Sequence, residues 1–110
     1  MTPDTPLASF EQVVLLAVLQ AGDEAYGPTI HAEILRCTGR DVSRGALYVT
    51  LDRLEAKGLL VSREGAPTPQ RGGRTRRLVR VTAPGLRALR DSRAALLSLW
   101  SGLEAALDGR

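Results

Sequence analysis

The sequence predicts a mainly helical α+β fold in one domain of 110 residues. Three observations predict it. Apolar residues recur at helical spacing in three successive segments, two short Val- and Leu-rich runs then flank a stretch containing Pro and Gly, and a last segment returns to helical spacing. Hydrophobic residues make up 44% of the chain and charged residues 25%, which is typical of a chain with one packed core.

The first helix is predicted to begin at Ser9. Ser9 and Gln12 match a capping box, in which each side chain bonds to the backbone amide of the other residue. The helix is expected to end near Gln20, because Gly22 can adopt the left-handed conformation that closes helices. Residues 13–19 are all apolar, which indicates burial on more than one side of this helix.

The second helix is predicted to start around Pro28, a residue favoured in the first helical turn, and to end at Gly39. Ile30, Ile34 and Cys37 follow one another at spacings of four and three and are expected to form its buried face. Cys37 is the single cysteine, so no intramolecular disulfide can form. We expect it to be a small buried apolar side chain.

The third helix is predicted to start after Ser43, a good N-cap, and to close at Gly58. Leu47, Leu51 and Leu54 form one apolar stripe along it. The links before and after these helices are short. The three segments are therefore expected to pack as one compact unit.

A hairpin and a last helix are predicted to follow. The strands cover residues 59–64 and 75–81, and the Arg- and Gly-rich segment TPQRGGRTRR surrounds the tip between them. Thr82 then caps the last helix, with Pro84 in its first turn, and this helix is expected to extend to about Leu107.

The last helix carries a heptad pattern that predicts a homodimer. Its apolar residues fall at alternating spacings of three and four, with Arg93 the one polar break, and about 25 residues of helix are too long for a core of this size to cover. The residues expected at the dimer interface are Val14, Leu15, Val18, Leu89, Leu96, Trp100, Leu103 and Leu107. Packing of the last helix against its own domain is the alternative.

The order helix, helix, helix, hairpin is that of a winged helix-turn-helix, in which the third helix enters the DNA major groove and the hairpin forms the wing. The predicted organisation is a flexible lead over residues 1–8, the winged helix-turn-helix over 9–82 with its wing at 60–81, and a C-terminal dimerisation helix over 83–110. The charge distribution fits this organisation, since residues 63–80 include six arginines and one glutamate.

Two groups of residues are expected to contact double-stranded DNA. At the start of the third helix Arg44 can bind a phosphate or a guanine edge, and Tyr48 can donate its hydroxyl to a phosphate. Asp52 and Glu55 would repel phosphate, so contact is expected to fade toward the helix end. The expected DNA-binding residues are Ser43, Arg44, Gly45, Tyr48 and Val49 on the third helix and Arg71, Gly72, Gly73, Arg74, Arg76 and Arg77 in the wing.

Several of these residues also have a structural interpretation. The wing arginines are compatible with a solvated basic loop that has no partner. Tyr48 is compatible with a tyrosine at the edge of the core. Trp100 is compatible with the dimer core and, as a speculative ligand residue, with a small-molecule pocket between subunits. His31 is expected at the surface.

The sequence holds no arrangement typical of an enzyme. No nucleophile, base and orienting group stand in a recognisable spacing, and RGGR lacks the lysine and hydroxyl of a phosphate-binding loop. One histidine without a cysteine or histidine cluster makes a poor metal site, and no cofactor is expected. The apolar runs are too short for a membrane span. Together with the lone cysteine, this predicts a cytoplasmic protein without a membrane partner.

Four segments together resemble the PadR family of bacterial transcriptional regulators, namely SFEQVVLLAVL, EAYGPTI, TGRDVSRGALYVTLDRLEAKGLL and PTPQRGGRTRRLVRVTAPG. The resemblance covers the chain from Ser9 to about Leu107, and the single short terminal helix is similar to that of the family's compact subgroup. One departure is visible, because Leu78 and Val79 stand where the family tends to carry aromatic residues.

The resemblance implies a dimeric winged-helix repressor that binds an inverted repeat and is often released by a small-molecule effector, here of unknown identity. It also implies that Tyr48 contacts a phosphate and that Ser43, Arg44 and Gly45 lie at the groove. The alternative function is a winged-helix module that binds an acidic protein partner. DNA binding weakens steeply with salt and prefers one repeat, whereas a protein-binding module binds any duplex weakly at most.

Overall fold

The computed structural model describes residues 7–66 and 75–109. Its elements, in chain order, are α1 (Ser9–Ala21), a 3-10 turn (Gly22–Glu24), α2 (Gly27–Thr38), α3 (Arg44–Ala56), β1 (Leu60–Glu64), β2 (Arg77–Val81), α4 (Ala83–Trp100) and α5 (Glu104–Leu107). The predicted fold class, with three helices followed by a hairpin and a helix, is confirmed. α1 contacts α2, α3, α4 and β2 and is the central element.

The core forms where α1, α2 and α3 meet the hairpin. Its buried apolar residues are Leu7, Val14, Leu15, Ala17, Val18, Ala25, Ile30, Ile34, Leu47, Leu51, Leu54, Leu60, Val79, Val81 and Leu89. Full burial of a Val, Leu or Ile side chain contributes about 1.5–3 kcal/mol, so this cluster is the main source of stability. It also fixes which face of α3 points outward.

The capping pattern of α1 begins one residue earlier than the sequence predicts. Ala8 is the N-cap, and its amide donates to the Glu11 side chain at 2.9 Å. Ser9 is already inside the helix, and the Gln12 side chain donates to the Leu7 carbonyl at 3.4 Å. The predicted capping box between Ser9 and Gln12 is therefore wrong. Leu7 is buried, which draws the end of the predicted lead into the core.

Glu11 connects the start of α1 to the end of α3. Its carboxylate is 2% exposed and accepts hydrogen bonds from Lys57 Nζ at 3.0 and 2.7 Å. Burial by itself raises the pKa of Glu11, but the bonds from Lys57 and Ala8 and the charge of Arg53 outweigh burial and hold the pKa below its usual value of 4.5. The pair therefore fixes the end of the helix that carries the candidate site.

α2 begins in close contact with α3. Tyr26 is its N-cap, and the Tyr26 amide donates to Thr29 Oγ1 at 3.1 Å. At Gly27 any Cβ would overlap the Tyr48 hydroxyl and the ring carbon that carries it. A side chain at position 27 would therefore displace Tyr48. Pro28 lies in the first turn, as predicted.

The end of α2 projects beyond the core. Ile30 and Ile34 are buried as predicted, and Gly39 closes the helix with a φ of 73°. Cys37 is exposed, so the prediction of a buried cysteine is wrong. It has the helical spacing of a core residue, but residues 35–41 are all exposed because this last turn extends past the core.

α3 has the predicted boundaries. The Ser43 hydroxyl accepts from the Ala46 amide at 3.1 Å, which confirms the cap, and Gly58 follows the helix with a φ of 77°. The buried residues of α3 are Leu47, Thr50, Leu51 and Leu54. The opposite face, which starts at Gly45, points away from the core.

β1 and β2 pair antiparallel, with Leu60 opposite Val81. The Val79 amide donates to the Ala25 carbonyl at 2.9 Å, which holds β2 against the segment between α1 and α2. The predicted hairpin is confirmed at its base. Its predicted tip, residues 67–74, lies outside the described residues.

α4 begins against the hairpin. The Thr82 hydroxyl accepts from the Gly85 amide at 3.2 Å, which confirms the predicted cap. A Cβ at Gly85 would overlap the Leu59 carbonyl, so the absence of a side chain there allows the close approach of α4 to the start of β1.

The last helix is shorter than predicted. α4 ends at Trp100, and Gly102, with a φ of 83°, turns the chain before α5. The prediction of one continuous helix to about Leu107 is therefore wrong. Residues 93–109 are all exposed in the single chain, so no buried contact offsets the low helix propensity of glycine.

Candidate nucleic-acid interface

The outward face of α3 is exposed along its length. Arg44 and Gly45 stand at its start, and a Cβ on Gly45 would meet no atom within 4 Å. Val49 follows one turn later and is 56% exposed. Arg44 forms no ion pair with any described residue. This half of the helix therefore has side chains that the fold itself does not use.

A hollow of about 320 Å³ lies where α3 begins beside the start of α2. Its lining residues are Gly27, Pro28, His31, Arg44, Leu47 and Tyr48. Both helices begin next to it, and the first amides of a helix carry partial positive charge. Together with the Arg44 guanidinium, these amides make the hollow suited to an anion such as phosphate.

Tyr48 lies at the border between the core and this hollow. Its half-buried ring packs against the core and against Gly27. Its hydroxyl forms no hydrogen bond with any described residue. The packing role and the predicted contact role are therefore compatible, since the ring supports the fold and the hydroxyl is left for another partner.

His31 belongs to the same region. Its Nε2 lies 2.9 Å from Asp41 Oδ1, and the His31 side chain is 33% exposed. It is thus half-buried, where the sequence predicts a surface residue. The pair holds the link between α2 and α3 against α2. The sequence carries no signal for it, because the two residues are ten positions apart and only one is helical.

Arg77 at the start of β2 is bonded to α3. Its guanidinium donates to Asp52 at 2.9 Å and to Glu55 at 2.6 Å, and its Nε donates to Ser62 at 3.1 Å. Bonds from Ser62 and Arg77 hold the pKa of Glu55 below its usual range. The two carboxylates that would repel phosphate are therefore paired with an arginine of the hairpin.

Arg76 points to the opposite side of the hairpin. Its guanidinium donates to Glu24 at 2.9 Å and stacks 5.3 Å from the centre of the Tyr26 ring. The Arg76 Nε is buried and has no hydrogen-bond partner among the described residues. Arg76 and Arg77 thus attach the hairpin to two different parts of the domain.

The wing residues predicted to contact DNA fall into two sets. Arg76 and Arg77 are engaged in contacts within the chain, so their side chains position the hairpin. The other predicted wing contacts lie outside the described residues: Arg71, Gly72, Gly73 and Arg74. The sequence does not identify Glu24 as the partner of Arg76 or Ser62 as a partner of Arg77.

We expect replacement of Arg77 by Gln to lower DNA affinity by up to about tenfold, because two carboxylates on α3 lose their paired charge. If Arg77 acts by pairing these carboxylates, adding Asp52→Asn and Glu55→Gln should restore most of the affinity. Fluorescence anisotropy with a labelled duplex measures both effects.

Arg80→Gln is the matched control, because it removes the same charge from the same strand at an exposed residue without an ion pair in the described chain. It should have the smaller effect. A loss that the added substitutions fail to restore would make Arg77 a direct phosphate contact.

Half of the predicted dimer interface lies inside the single chain. The buried residues of that set are Val14, Leu15, Val18 and Leu89. A side chain in the core has almost no surface to offer a partner, so these four are corrected from interface to core. The exposed residues of the set are Leu96, Trp100, Leu103 and Leu107.

The core-facing side of α4 continues beyond the core. Leu96 and Trp100 follow Leu89 at spacings of seven and four, and they are 46% and 49% exposed. On α1 the exposed apolar side chains are Leu16 and Leu19. The exposed end of α4, residues 96–100, thus carries four exposed large apolar side chains within five residues, namely Leu96, Leu97, Leu99 and Trp100.

Residues 7–66 and 75–109 match neither the pattern of a metal site nor that of a membrane-spanning helix. Within them no three His, Cys, Asp or Glu side chains come together as metal ligands. None of the helices in these ranges combines the length and the apolarity that a membrane crossing requires.

The fold and this face define a class. Three packed helices with an open third helix, followed by an antiparallel hairpin bonded to it, make up a winged-helix DNA-binding protein. The chain belongs to the PadR-like family of transcriptional regulators, whose model matches residues 15–91. The predicted resemblance is confirmed, and so is the prediction of a regulator rather than an enzyme.

Known proteins with related sequences are also described as transcriptional regulators. The chain is similar to the transcriptional regulator Rv3488 of Mycobacterium tuberculosis (strain ATCC 25618 / H37Rv), with 44% identity over 79 residues that cover 72% of this chain and 69% of the relative. A crystal structure of a PadR family transcriptional regulator from Eggerthella lenta DSM 2243 is 30% identical, covers 90% of this chain and 84% of its own, and superposes with a TM-score of 0.68.

F93 from STIV, a winged-helix DNA-binding protein, is similar in fold. Its TM-score is 0.69 and it is 16% identical, with 89% of this chain and 98% of the F93 chain covered. At this identity the likeness concerns the fold alone, and it confirms the winged-helix architecture.

Proposed function

We propose that this chain is a sequence-specific regulator that represses transcription by binding an inverted-repeat operator as a homodimer. The observation that carries the proposal is the open outward face of α3. Arg44, Gly45 and Val49 stand there without a role in the fold, beside a hollow suited to phosphate. A recognition helix requires this combination of an unused face and a neighbouring anion site.

α3 is proposed to enter the major groove with its N-terminal half. Arg44 reaches a guanine edge or a phosphate, and the Tyr48 hydroxyl donates to a phosphate. Gly45 lets the helix come close to the groove. Ser43 is proposed to lie at the groove because it immediately precedes α3, and its hydroxyl, which accepts from the Ala46 amide, caps the helix there.

The hairpin is proposed to act as a wing along the DNA backbone. Arg71, Gly72, Gly73 and Arg74 are proposed as its contacts with DNA, since arginine neutralises phosphates and fits narrow grooves. Arg76 and Arg77 are proposed to hold the wing in place, which is supported by their bonds to Glu24 and α3.

The dimer is proposed to form through the exposed end of α4, with the exposed Leu16 and Leu19 of α1 as further apolar contacts. The proposal is supported by the exposure of these apolar side chains, because exposed apolar patches often mark protein–protein interfaces. In helix-turn-helix dimers the recognition helices are about 34–36 Å apart, one turn of DNA, which predicts the spacing of the repeat.

An effector and the cellular location complete the proposal. Trp100 is 49% exposed on the proposed dimer surface, so a small-molecule effector of unknown identity bound between the subunits would contact it. A regulator of transcription acts where the DNA is, and the cytoplasmic location is proposed on that ground.

Replacing Arg44 by Ala is expected to change the preference at one base pair by about 1–3 kcal/mol and to lower affinity for the selected duplex at least about fivefold. Arg36→Ala is the matched control, because Arg36 is an exposed α2 arginine paired with Glu33 at 2.7 Å, away from the hollow. Anisotropy titrations against a selected and a scrambled duplex, at several salt concentrations, provide the readout.

The outcomes separate the competing functions. A preference for the selected duplex that Arg44→Ala alone reduces supports the proposal. A uniform loss over all sequences would make Arg44 a backbone contact. If the wild-type protein binds neither duplex but binds polyglutamate, the chain is a protein-binding module with an acidic partner instead.

A further inference from the structure

Val49 is an apolar side chain in the middle of the outward face of α3, where it does not pack in the core. It is 56% exposed and is the one large apolar side chain exposed on α3, all of whose residues are described. Valine also forms helices less well than alanine or leucine. Neither core packing nor helix stability therefore accounts for a valine at this position.

The residues before Val49 on this face are small. Gly45, one turn earlier, carries no side chain, and the exposed Ala46 adds a single methyl group. Three residues later Asp52 is held by Arg77 at 2.9 Å. Val49 thus projects from a stretch of small residues between Arg44 and a neutralised acid, and this stretch can approach another surface closely.

The geometry points to Val49 as a specificity-determining residue that packs against the C5-methyl group of thymine. The inference rests on the proposed function, because that function places the outward face of α3 in the major groove. The thymine methyl is the one apolar group on the major-groove edge of the four base pairs. The Val49 isopropyl group has two methyls and no hydrogen-bonding atom.

Selectivity follows from desolvation as well as from contact. A cytosine amino group or a purine acceptor facing Val49 would lose hydrogen bonds to water and gain none. A thymine methyl loses nothing and removes apolar surface from water. Val49 therefore favours a thymine at one position in each half-site, next to the base pair proposed for Arg44.

The test compares thymine with uracil, which differs from it only by the missing methyl group. The probe is a synthetic duplex of the repeat recovered by selection from a random library, with each thymine replaced in turn, symmetrically in both half-sites. One methyl group removed from water corresponds to about fourfold in affinity, so the wild-type dimer should lose about 15-fold at one symmetric position.

Two variants complete the test. Val49→Ala keeps a helix-forming residue at an exposed site, and we expect it to bind the thymine and uracil duplexes within about twofold of each other. Leu35→Ala is the matched control, since Leu35 is 44% exposed on α2 and lies near the far end of that helix. It should discriminate between the two duplexes as the wild type does.

Three results would overturn the inference. The first is a wild-type protein for which no thymine position matters. The second is a Val49→Ala variant that discriminates between thymine and uracil as strongly as the wild type. The third is a selection that recovers no repeat, which also contradicts the proposed function and is recognised before any uracil is introduced.

Discussion

Replacing Leu96 by Asp is expected to convert the proposed homodimer into a folded monomer. Leu96 lies on the side of α4 that continues from Leu89 beyond the core, and the single chain leaves it 46% exposed. A carboxylate there is solvated in the monomer but would be buried without a partner in a dimer. Light scattering measures the change in mass, and circular dichroism shows that the helices persist.

Dimer loss should also weaken binding to the repeat by about 100-fold or more, because two linked half-sites bind far more tightly than one. Ala94→Asp is the matched control, since it places the same charge two residues before Leu96, on the other side of α4 and outside residues 96–100. It should remain dimeric. A Leu96→Asp protein with the mass of a dimer would contradict the proposed interface.

Replacing Lys57 by Met is expected to lower the free energy of unfolding by about 2 kcal/mol at neutral pH. The substitution leaves the Glu11 carboxylate, which is 2% exposed, with the Ala8 amide as its remaining bond. Breaking a fully buried ion pair costs about 3–5 kcal/mol, and the 31% exposure of Lys57 makes the cost smaller here. Urea unfolding provides the measurement.

The loss of unfolding free energy caused by Lys57→Met should become smaller as the pH falls. In the wild type the pKa of Glu11 lies below its usual value of 4.5, so the stabilisation is present above that value and is lost as the pH falls through the lower folded value. In the variant Glu11 lacks the hydrogen bonds and the charge of Lys57, which lower its pKa in the wild type, so its pKa is higher than in the wild type and protonation relieves part of the cost. The difference between the proteins should therefore narrow from pH 7 toward about pH 4.

Arg36→Met is the control for this comparison, because it breaks an exposed pair with Glu33. We expect no comparable loss of stability from it. Equal losses in the two variants, or a difference for Lys57→Met that does not depend on pH, would show that the pair between Glu11 and Lys57 is not the connection between α1 and α3 described above.

The helices and strands could be predicted because their signals are local. Ser43 and Thr82 each cap a helix through an amide three residues away, and Gly39 closes one in a left-handed conformation. These interactions depend on neighbours in sequence. α1 begins at Ser9 as predicted, but its cap escaped prediction, because Ala8 is the N-cap and its amide donates to the buried Glu11.

The site could be predicted only in part, for the same reason. The start of α3 is exposed, as predicted, because its apolar stripe fixes the opposite face. The sequence pattern does not distinguish the arginines at the base of the wing from those at its tip. The carboxylate partners of Arg77 are 22 and 25 residues away in sequence and that of Arg76 is 52 away, so no sequence pattern reveals them.

The apolar run of α1 shows a related limit. Helical periodicity is absent when every position is apolar, so the sequence does not tell which residues face the core. In the structure Val14, Leu15 and Val18 fill the core, while Leu16 and Leu19 remain exposed. Burial of one side of α1 against α2, α3, α4 and β2 decides which of these residues face the core.

The most direct test of the proposed function is selection of bound sites from a random duplex library at near-physiological salt, followed by sequencing. We expect enrichment of an inverted repeat whose half-sites are about one helical turn apart, with a thymine at a fixed position in each. No enrichment by a protein shown to be folded and dimeric would contradict the proposal that α3 reads DNA sequence.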